Sequence, residues 1–244
     1  MNKNIKYAIM GSDTNPMYLE FWPVVSKIWK EIFGIIPVLG LICNEDSELY
    51  EDEFGLVKKF KNIDGMNSGL QSQIVRFYLP KYLDGVCLIS DIDMLPLSPI
   101  YFETNSQKQT EDNIILYSSD NPECLRDKQY PMCYFSAHSK LFPKVFDINL
   151  EWEEFCKHLL IRNEGWFTDQ RYLYDKVNEY HDKTKNVIFL NRGWNPMAID
   201  RIDRISWRYD EDKVKNHGYI DSHSLRPYSR YKNTIDELIK LITS

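Results

Sequence analysis

The sequence predicts an α/β fold in which helices cover both faces of a central, mostly parallel sheet. Two observations support this expectation. Short runs that are apolar at almost every position, such as Ile36 to Ile42, alternate with longer segments whose apolar residues recur every three or four positions. Strands without a polar face are buried on both sides, which is typical of parallel strands that lie between helices.

The length of 244 residues suits one sizeable α/β domain. The composition, with 43 % hydrophobic and 27 % charged residues, is that of an ordinary globular protein. The sequence shows no internal repeat, no low-complexity tract and no linker-like stretch. We therefore expect a single domain over residues 1–244.

The first half of the chain supplies two predicted helices and four predicted strands. Apolar residues from Tyr18 to Ile32 form one stripe, which Pro23 interrupts because proline has no amide N–H to donate. A second helix, Gly69 to Leu79, ends before Pro80. The strands are expected at Tyr7 to Met10, Ile36 to Ile42, Leu56 to Phe60 and Val86 to Ser90.

The second half of the chain is less regular. The polar stretch Thr104 to Asn113 is expected to be a surface loop. Helices are predicted at Glu151 to Ile161, Asp169 to Tyr180 and Ile235 to Ile242. Extended segments are predicted at Ile114 to Ser118, Cys133 to Ala137, Val187 to Leu190 and Ile205 to Tyr209.

Charge and cysteine usage exclude several classes of partner and compartment. A net charge of -6 argues against nucleic acid as the main partner, because binding phosphate backbones requires a basic face. The five cysteines form no C-x-x-C pair and stand mostly in apolar runs, so we expect small core residues in a reducing compartment, the cytoplasm. The apolar run at Tyr7 to Met10 is too short for a signal peptide or a membrane span.

Acidic residues follow two of the predicted strands. Gly11-Ser12-Asp13 follows the first strand, and Asp91-Ile92-Asp93 follows the strand that begins at Val86. Because ligands of parallel sheets bind at the carboxyl ends of strands, both segments are expected to line one crevice. Two carboxylates one residue apart can approach one hard cation, and Mg²⁺ and Mn²⁺ prefer such oxygen ligands. A solvated turn is the alternative interpretation of the two aspartates.

Longer motifs add a family resemblance. The segment RFYLPKYLDGVCLISDIDMLPLSPI, Arg76 to Ile100, resembles the core of glycosyltransferases of the GT-A fold, which is Rossmann-like. It is most similar to the glycogenin-like and lipopolysaccharide galactosyltransferase group and to chlorovirus-type glycosyltransferase domains. Further similar motifs occur in the family's order: YAIMGSDTNP, PMCYFSAHSKLF, GWFTDQRYLYDKV and HGYIDSHSLRPY. Two of them depart from the family pattern, with Arg226-Pro227-Tyr228 for Lys-Pro-Trp and Ser136-Ala137-His138 for Asn-x-Gly.

The resemblance implies a Mn²⁺ or Mg²⁺ site. Asp93 is implied as a ligand, and Asp91 as a second ligand or a contact to the ribose. His223 is the candidate third ligand, because an imidazole nitrogen suits Mn²⁺ beside carboxylates. His217 is its rival, and a surface histidine without a metal is the alternative for either.

The resemblance also implies the groups that bind the donor. Gly11, Ser12, Asp13 and Thr14 are implied at the base and ribose, although Asp13 or Thr14 could instead cap a helix. Arg76 is implied to reach the Asp-x-Asp motif or the donor, with a helix-surface ion pair as its alternative. The remaining implied residues are Ser136 under the donor sugar and Arg226 on the diphosphate, where a guanidinium can pair with two oxygens.

Near the anomeric carbon the resemblance implies Asp169 and Gln170. Thr168 or Asp169 could also be only the N-cap of the helix that starts there. Three aromatic residues, Trp166, Phe167 and Trp194, are candidates for stacking on a sugar ring or for the core.

The expected function is transfer of a sugar from a nucleotide-diphosphate sugar, by resemblance a UDP-hexose, to a glycan or other hydroxyl acceptor with retention of configuration. The loops 105–113 and 191–201 are the candidate acceptor contacts. An aspartyl-nucleophile phosphatase is the enzyme alternative, although its Asp-x-Asp usually stands near the N-terminus. A non-catalytic nucleotide- or sugar-binding module is the other alternative.

Overall fold

The structure is a computed structural model that describes residues 5–192 and 200–243. Its strands are β1 (Ile5–Asp13), β2 (Ile36–Cys43), β3 (Tyr50–Glu51), β4 (Leu56–Lys61), β5 (Val86–Ile89), β6 (Met94–Pro96), β7 (Ile114–Leu116), β8 (Phe135–His138), β9 (Val187–Phe189), β10 (Arg201–Asp203) and β11 (Asp221–His223). Its α-helices are α1 (Pro16–Leu19), α2 (Trp22–Lys27), α3 (Ser68–Tyr78), α4 (Pro99–Ser106), α5 (Pro122–Arg126), α6 (Phe142–Val145), α7 (Trp152–Leu160), α8 (Thr168–Thr184), α9 (Glu211–Lys215) and α10 (Tyr228–Thr243).

Within the described residues, eight strands form one sheet in the order β3-β4-β2-β1-β5-β8-β7-β9. The strands β4, β2, β1 and β5 are parallel, whereas β3 and β8 run antiparallel to their neighbours. The parallel block therefore has all its carboxyl ends at one edge, where β1 ends at Asp13 and β5 leads into Asp91. This mixed, mostly parallel sheet between helices confirms the predicted fold class.

Helices bury both faces of the sheet, as β1 shows most directly. Its alternate residues Tyr7 and Ile9 pack into a core with α3, α7 and α8, whereas Ala8 and Met10 pack into a second core with α2 and α10. Successive side chains of a strand point to opposite faces, so a strand that is apolar throughout needs a core on each side. The sequence pattern predicted this two-sided burial.

Two glycines let α3 approach the sheet closely. Gly11 of β1 and Gly40 of β2 are register partners on adjacent strands. A Cβ atom on Gly11 would lie 2.0 Å from the carbonyl oxygen of Ser72, and one on Gly40 would lie 2.8 Å from methyl groups of Val75. Contacts this short cannot form, so packing against α3 alone already requires both glycines.

A second, smaller sheet completes the edge where the acidic residues lie. Within the described residues it contains β10, β11 and β6 in that order. The strand β11 pairs antiparallel with β6 and parallel with β10, so that His223 is the register partner of both Met94 and Asp203. The amide N–H of Ser224 also donates to the carbonyl oxygen of Asp93, at 3.0 Å. This sheet brings the C-terminal part of the chain to Asp93.

Most predicted elements occur near their predicted bounds, and three predictions are wrong. The stripe from Tyr18 to Ile32 is not one helix: α1 ends at Leu19, α2 begins at Trp22, and Ile28–Ile32 is a π-helical turn. The predicted loop at Thr104 to Asn113 begins inside α4, and its last residue is buried. The segment Ile205 to Tyr209 is not a strand; the strand is β10, just before it. None of the described helices has the length and apolar character needed to cross a membrane.

Candidate active site

A cavity of about 470 Å³ opens at the carboxyl edge of the parallel strands. Both acidic strand ends contribute to its lining, as predicted, with Asp13 from the end of β1 and Asp91 and Asp93 from the loop after β5. The cavity is within the size range of small-molecule sites. The other predicted site residues that line it are Gly11, Ser12, Arg76, Asp169, Gln170, His223 and Arg226.

Asp93 and His223 lie side by side in this cavity. The carboxylate of Asp93, on a residue only 5 % exposed, has Oδ2 4.0 Å from Nε2 of His223. The other ring nitrogen of His223, Nδ1, lies 3.5 Å from Oδ2 of Asp203. Burial lowers the pKa of His223 below its usual value, Asp93 opposes the shift and Arg204 adds to it. His223 is therefore neutral at pH 7 and has a lone pair to offer a cation.

Two arginines also contact the carboxylate of Asp93. The Nη2 atom of Arg204 donates to Oδ2 of Asp93 at 2.8 Å. The Nη1 atom of Arg226 lies 3.4 Å from the same oxygen, and its guanidinium stacks over the ring of Tyr18 at 4.8 Å from the ring centroid. One carboxylate oxygen thus carries two guanidinium contacts next to a histidine.

A third arginine lies between the other two aspartates. Arg76 of α3 is buried; its Nη1 contacts Oδ1 of Asp91, and its Nη2 donates to Oδ2 of Asp169 at 2.8 Å. Burial opposes ionisation of Asp91, but Arg76 outweighs it and holds the pKa of Asp91 below its usual value. Asp169 is 1 % exposed, and burial raises its pKa to about 6 although Arg76 works against the shift. Asp169 therefore titrates in an accessible pH range.

The raised pKa of Asp169 predicts a pH-dependent stability. The folded-state value of about 6 lies above the ordinary value of 3.8, so the native state binds the proton more tightly than the unfolded chain. The contribution of Asp169 is therefore most favourable below about pH 4 and is lost as the pH rises towards about 6. Relative to Asp169→Asn, the wild type should lose up to about 3 kcal/mol of unfolding free energy across that window.

Urea denaturation of both proteins at several pH values measures this difference. The Asn variant has the same shape without the titration, so it serves as the reference. A stability difference that stayed constant from about pH 4 to about pH 6 would contradict the assigned environment of Asp169.

Asp93 and His223 supply an oxygen and a nitrogen of the kinds that bind Mn²⁺. Bonds from Mg²⁺ to its ligands are about 2.1 Å long, so neighbouring ligand atoms in octahedral coordination are about 3 Å apart. Oδ2 of Asp93 and Nε2 of His223 are 4.0 Å apart, so a small approach would let them share one ion. Among residues 5–192 and 200–243, no group of three His, Cys, Asp or Glu side chains is arranged to hold a metal ion. The structure thus brings two of the predicted ligands together, while Oδ1 of the third, Asp91, is engaged by Arg76.

The first strand end is built around Asp13. One of its carboxylate oxygens accepts from the amide of Asn15 at 3.0 Å, and the other accepts from the hydroxyl of Ser68 at 2.7 Å. The N-cap of α1 is Asn15, whose side chain accepts from the amide of Met17. Neither Asp13 nor Thr14 therefore caps this helix, contrary to the alternative that the sequence left open.

Several predicted site residues do not line the cavity. Ser136 of β8 is fully buried, donates to Oε1 of Gln109 at 2.6 Å and lies 3.2 Å from the hydroxyl of Tyr117. Thr14 is exposed outside the cavity. The ring of His217 donates from Nδ1 to the carbonyl oxygen of Leu97 at 3.0 Å, and His217 does not line the cavity. Of the two rival histidines, only His223 lines the cavity.

The structure also excludes the capping role that the sequence left open for Thr168 and Asp169. The helix α8 begins at Thr168 with Phe167 as its N-cap and no side-chain cap bond, so neither Thr168 nor Asp169 is the N-cap. Oδ1 of Asp169 accepts from the amide of Gln170, and Oδ2 contacts Arg76. Trp166 lines the cavity with 57 % of its surface exposed, whereas Phe167 does not line it. The third aromatic candidate, Trp194, lies outside the described residues.

Sequence reasoning missed several residues that line the cavity. Four of them matter for its chemistry: Tyr18, Gln73, Asp203 and Arg204. Gln73 of α3 donates to the carbonyl oxygen of Trp166, and its own Oε1 is buried without a hydrogen-bond partner among the described residues. The spacing from Arg76 is a signal for Gln73, because residues three apart share one face of a helix. No motif marks Asp203 and Arg204, whose position depends on the pairing of β10 with β11.

No protein-family model and no curated protein matches the chain. Solved structures of glycosyltransferases do match it. The galactosyltransferase LgtC, solved with donor and acceptor sugar analogues, is 12 % identical over 97 % of this chain and 95 % of its own, at a TM-score of 0.49. A glycosyltransferase involved in the glycosylation of the major capsid of PBCV-1 is 9 % identical over 90 % of this chain and 91 % of its own, at a TM-score of 0.45. GlyE of Streptococcus pneumoniae TIGR4 is 11 % identical over 77 % of this chain and 45 % of its own, at a TM-score of 0.43.

These matches are at the level of distant similarity, and the chain spans less than half of GlyE. What the cavity itself does follows from its residues.

Proposed function

We propose that this chain transfers a sugar from a nucleotide-diphosphate sugar to a hydroxyl acceptor and uses Mn²⁺ or Mg²⁺ to do so. The observation that carries the proposal is the arrangement at Asp93, where a histidine suited to a cation and two arginines suited to phosphate surround one buried carboxylate. A cation and a polyphosphate bound together require both kinds of group in one place.

The charge of the cavity supports a cation. Five carboxylates line it, from Asp13, Asp91, Asp93, Asp169 and Asp203, against the guanidiniums of Arg76, Arg204 and Arg226. With His223 neutral, two negative charges are left over when all the carboxylates are ionised. A divalent ion balances this excess, and it also allows an anionic donor to enter a cavity that would otherwise repel it.

The protein's own groups then have distinct roles at the diphosphate. When bound, the cation stabilises negative charge on the departing diphosphate oxygens. Asp93 and His223 would hold it, and Mg²⁺ is commonly bound through only one or two protein ligands beside substrate phosphates. Arg226, stacked on Tyr18 and 3.4 Å from Asp93, can pair with a phosphate oxygen at the same place. Charge stabilisation by such preorganised groups is usually the largest part of a rate enhancement.

Arg76 is best placed as a positioning residue. It is buried and shared between Asp91 and Asp169, so it fixes the Asp-x-Asp loop against the start of α8. Asp169 in turn has both carboxylate oxygens engaged, by Arg76 and by its own helix. This geometry suits Asp169 to holding Arg76, and it makes Gln170 the candidate group beside the reacting carbon.

The donor sugar and the acceptor have candidate contacts near α3 and α8. The unpartnered Oε1 of Gln73 is buried, and a sugar hydroxyl would satisfy it. Trp166 exposes more than half of its surface at the rim of the cavity, which suits it to stacking on a sugar ring. We propose that the donor is a UDP-hexose and that the acceptor is a glycan or another hydroxyl compound. The transfer is proposed to retain the configuration of the sugar.

The phosphatase alternative is less well supported. Such an enzyme would use Asp91 as a nucleophile with a lysine nearby, but Oδ1 of Asp91 contacts Arg76. Within the described residues, the cavity lining contains no lysine. A screen for slow hydrolysis of UDP-, GDP- and dTDP-sugars with and without Mn²⁺ tests the proposal without knowledge of the acceptor. Cation-dependent sugar release from one of these donors is expected; release of phosphate from a generic monoester instead would contradict it.

A non-catalytic binding module makes a different prediction in a thermal-shift experiment. We expect a nucleoside diphosphate to raise the melting temperature only when Mn²⁺ or Mg²⁺ is present, because ligands that bind only the folded state stabilise it. Stabilisation by free sugar alone, with no effect of the cation, would favour the binding module.

A further inference from the structure

Arg204 is the most under-satisfied charged group in the cavity lining. Its side chain is 17 % exposed and, within residues 5–192 and 200–243, makes one hydrogen bond, from Nη2 to Oδ2 of Asp93. Its other two donor atoms, Nε and Nη1, are buried and have no hydrogen-bond partner among the described residues. A buried donor of a charged group that has no acceptor destabilises the protein. Two such donors on one side chain therefore indicate that an acceptor is missing.

The position of Arg204 narrows the chemistry of that acceptor. It lines the same cavity as Arg226, and both guanidiniums contact the same oxygen of Asp93. Cationic groups that converge on one point from different elements, one after β10 and one after β11, are suited to a ligand with several negative oxygens. Nε and Nη1 lie on different edges of the guanidinium, and each edge is completed by Nη2, so release of Nη2 from Asp93 would leave an edge that can pair with two oxygens of a phosphate group.

We infer that Arg204 is a second arginine for the diphosphate of the donor and that it exchanges Asp93 for a phosphate oxygen when the cation binds. The inference rests on the proposed function. Without a cation, Arg204 neutralises Asp93. With a cation held by Asp93, the oxygen that Arg204 contacts would be occupied, so Arg204 would be free to pair with a phosphate oxygen of the donor instead. Arg204 is therefore available to the diphosphate only when a cation is bound at Asp93.

The exchange makes two predictions of opposite sign for Arg204→Gln. Mn²⁺ alone should bind at least as tightly as in the wild type, because its competitor for Asp93 is gone. Inorganic pyrophosphate in the presence of Mn²⁺ should bind at least about tenfold more weakly, because a charge-assisted pair is lost. A residue with only a structural role would weaken both ligands together.

The experiment measures Mn²⁺ binding from the electron paramagnetic resonance signal of the free ion, and pyrophosphate binding by calorimetry. The matched control is Arg208→Gln, an exposed arginine four residues further along, which should leave both affinities unchanged. Arg204→Lys keeps the positive charge and provides a second test in case the Gln variant does not fold. It should bind pyrophosphate more weakly than the wild type, since an ammonium cannot pair with two oxygens in parallel.

The outcomes separate this inference from the proposed function. If the wild type binds neither Mn²⁺ nor pyrophosphate, the proposed function and this inference both fail. If the wild type binds both and Arg204→Gln behaves like Arg208→Gln, only this inference fails. Equal weakening of both ligands, or pyrophosphate affinity in the wild type that does not depend on Mn²⁺, would also overturn the exchange.

Discussion

The substitution Asp93→Asn should lower cation-dependent sugar transfer by at least about a hundredfold while the protein stays folded. Asn has nearly the same shape, and it keeps an oxygen that Arg204 can contact. It lacks the charge that a divalent ion requires beside the neutral His223. Loss of Mn²⁺ binding should therefore accompany the loss of turnover, measured on the nucleotide-sugar that the hydrolysis screen identifies.

Asp84→Asn is the matched control for this substitution. Asp84 is an exposed aspartate just before β5, at the opposite end of the same strand. The Asp84→Asn variant should keep full activity and full Mn²⁺ binding. Circular dichroism of both variants tests whether the fold is kept. Unimpaired turnover of Asp93→Asn would remove Asp93 from the cation site.

The substitution Arg76→Met should have the largest effect on stability, about 3–5 kcal/mol at pH 7. The guanidinium of Arg76 is buried between Asp91 and Asp169, and methionine fills much of its volume without its charge. Asp91 and Asp169 would lose the counter-charge that they share, so each must stay charged without a partner or take up a proton, and both cost stability. Denaturation in urea, followed by circular dichroism, measures the loss.

Two comparisons identify the cause of that loss. Arg162→Met removes an arginine that also contacts two carboxylates, those of Glu164 and Asp175, but at a partly exposed site. It should cost no more than about 1 kcal/mol. Adding Asp169→Asn to the Arg76 variant should restore part of its stability, because it removes a buried carboxyl that has lost its partner. A loss no greater than that of Arg162→Met would contradict the assigned role of Arg76.

The sequence predicted the parts of the site that depend on local pattern. Wholly apolar strands indicated a covered parallel sheet, and parallel strands share their carboxyl edge, so Asp13, Asp91 and Asp93 could be placed at one cavity. The position of Arg76 was expected from its place in the matched motif. The structure adds that Arg76 contacts both Asp91 and Asp169, although Asp169 is 93 positions away in the sequence.

The sequence did not predict the second sheet. Its strands β6, β10 and β11 have three residues each, too short for a periodic signal. The pairing of His223 with Met94 and Asp203 depends on contacts between distant segments, which propensity does not encode. Arg204 and Asp203 were missed for that reason, and the extended segment was placed a few residues too late.

Ser136 shows the complementary error. It was assigned to the donor sugar because its motif resembles that of a family, but the register of β8 pairs it with Leu88 and buries it against Tyr117 and Gln109. Alternate residues of a strand face opposite sides, so a shift of one position decides whether a side chain meets a ligand or the core. A motif alone does not give that register.

Anomalous X-ray diffraction from a crystal grown with Mn²⁺ and UDP tests the central claim most directly. The account predicts a manganese peak at Asp93 and Nε2 of His223, with Arg204 moved from Asp93 to a phosphate oxygen. A manganese peak at any other place in the cavity, or a diphosphate bound there while Arg204 still contacts Asp93, would contradict it.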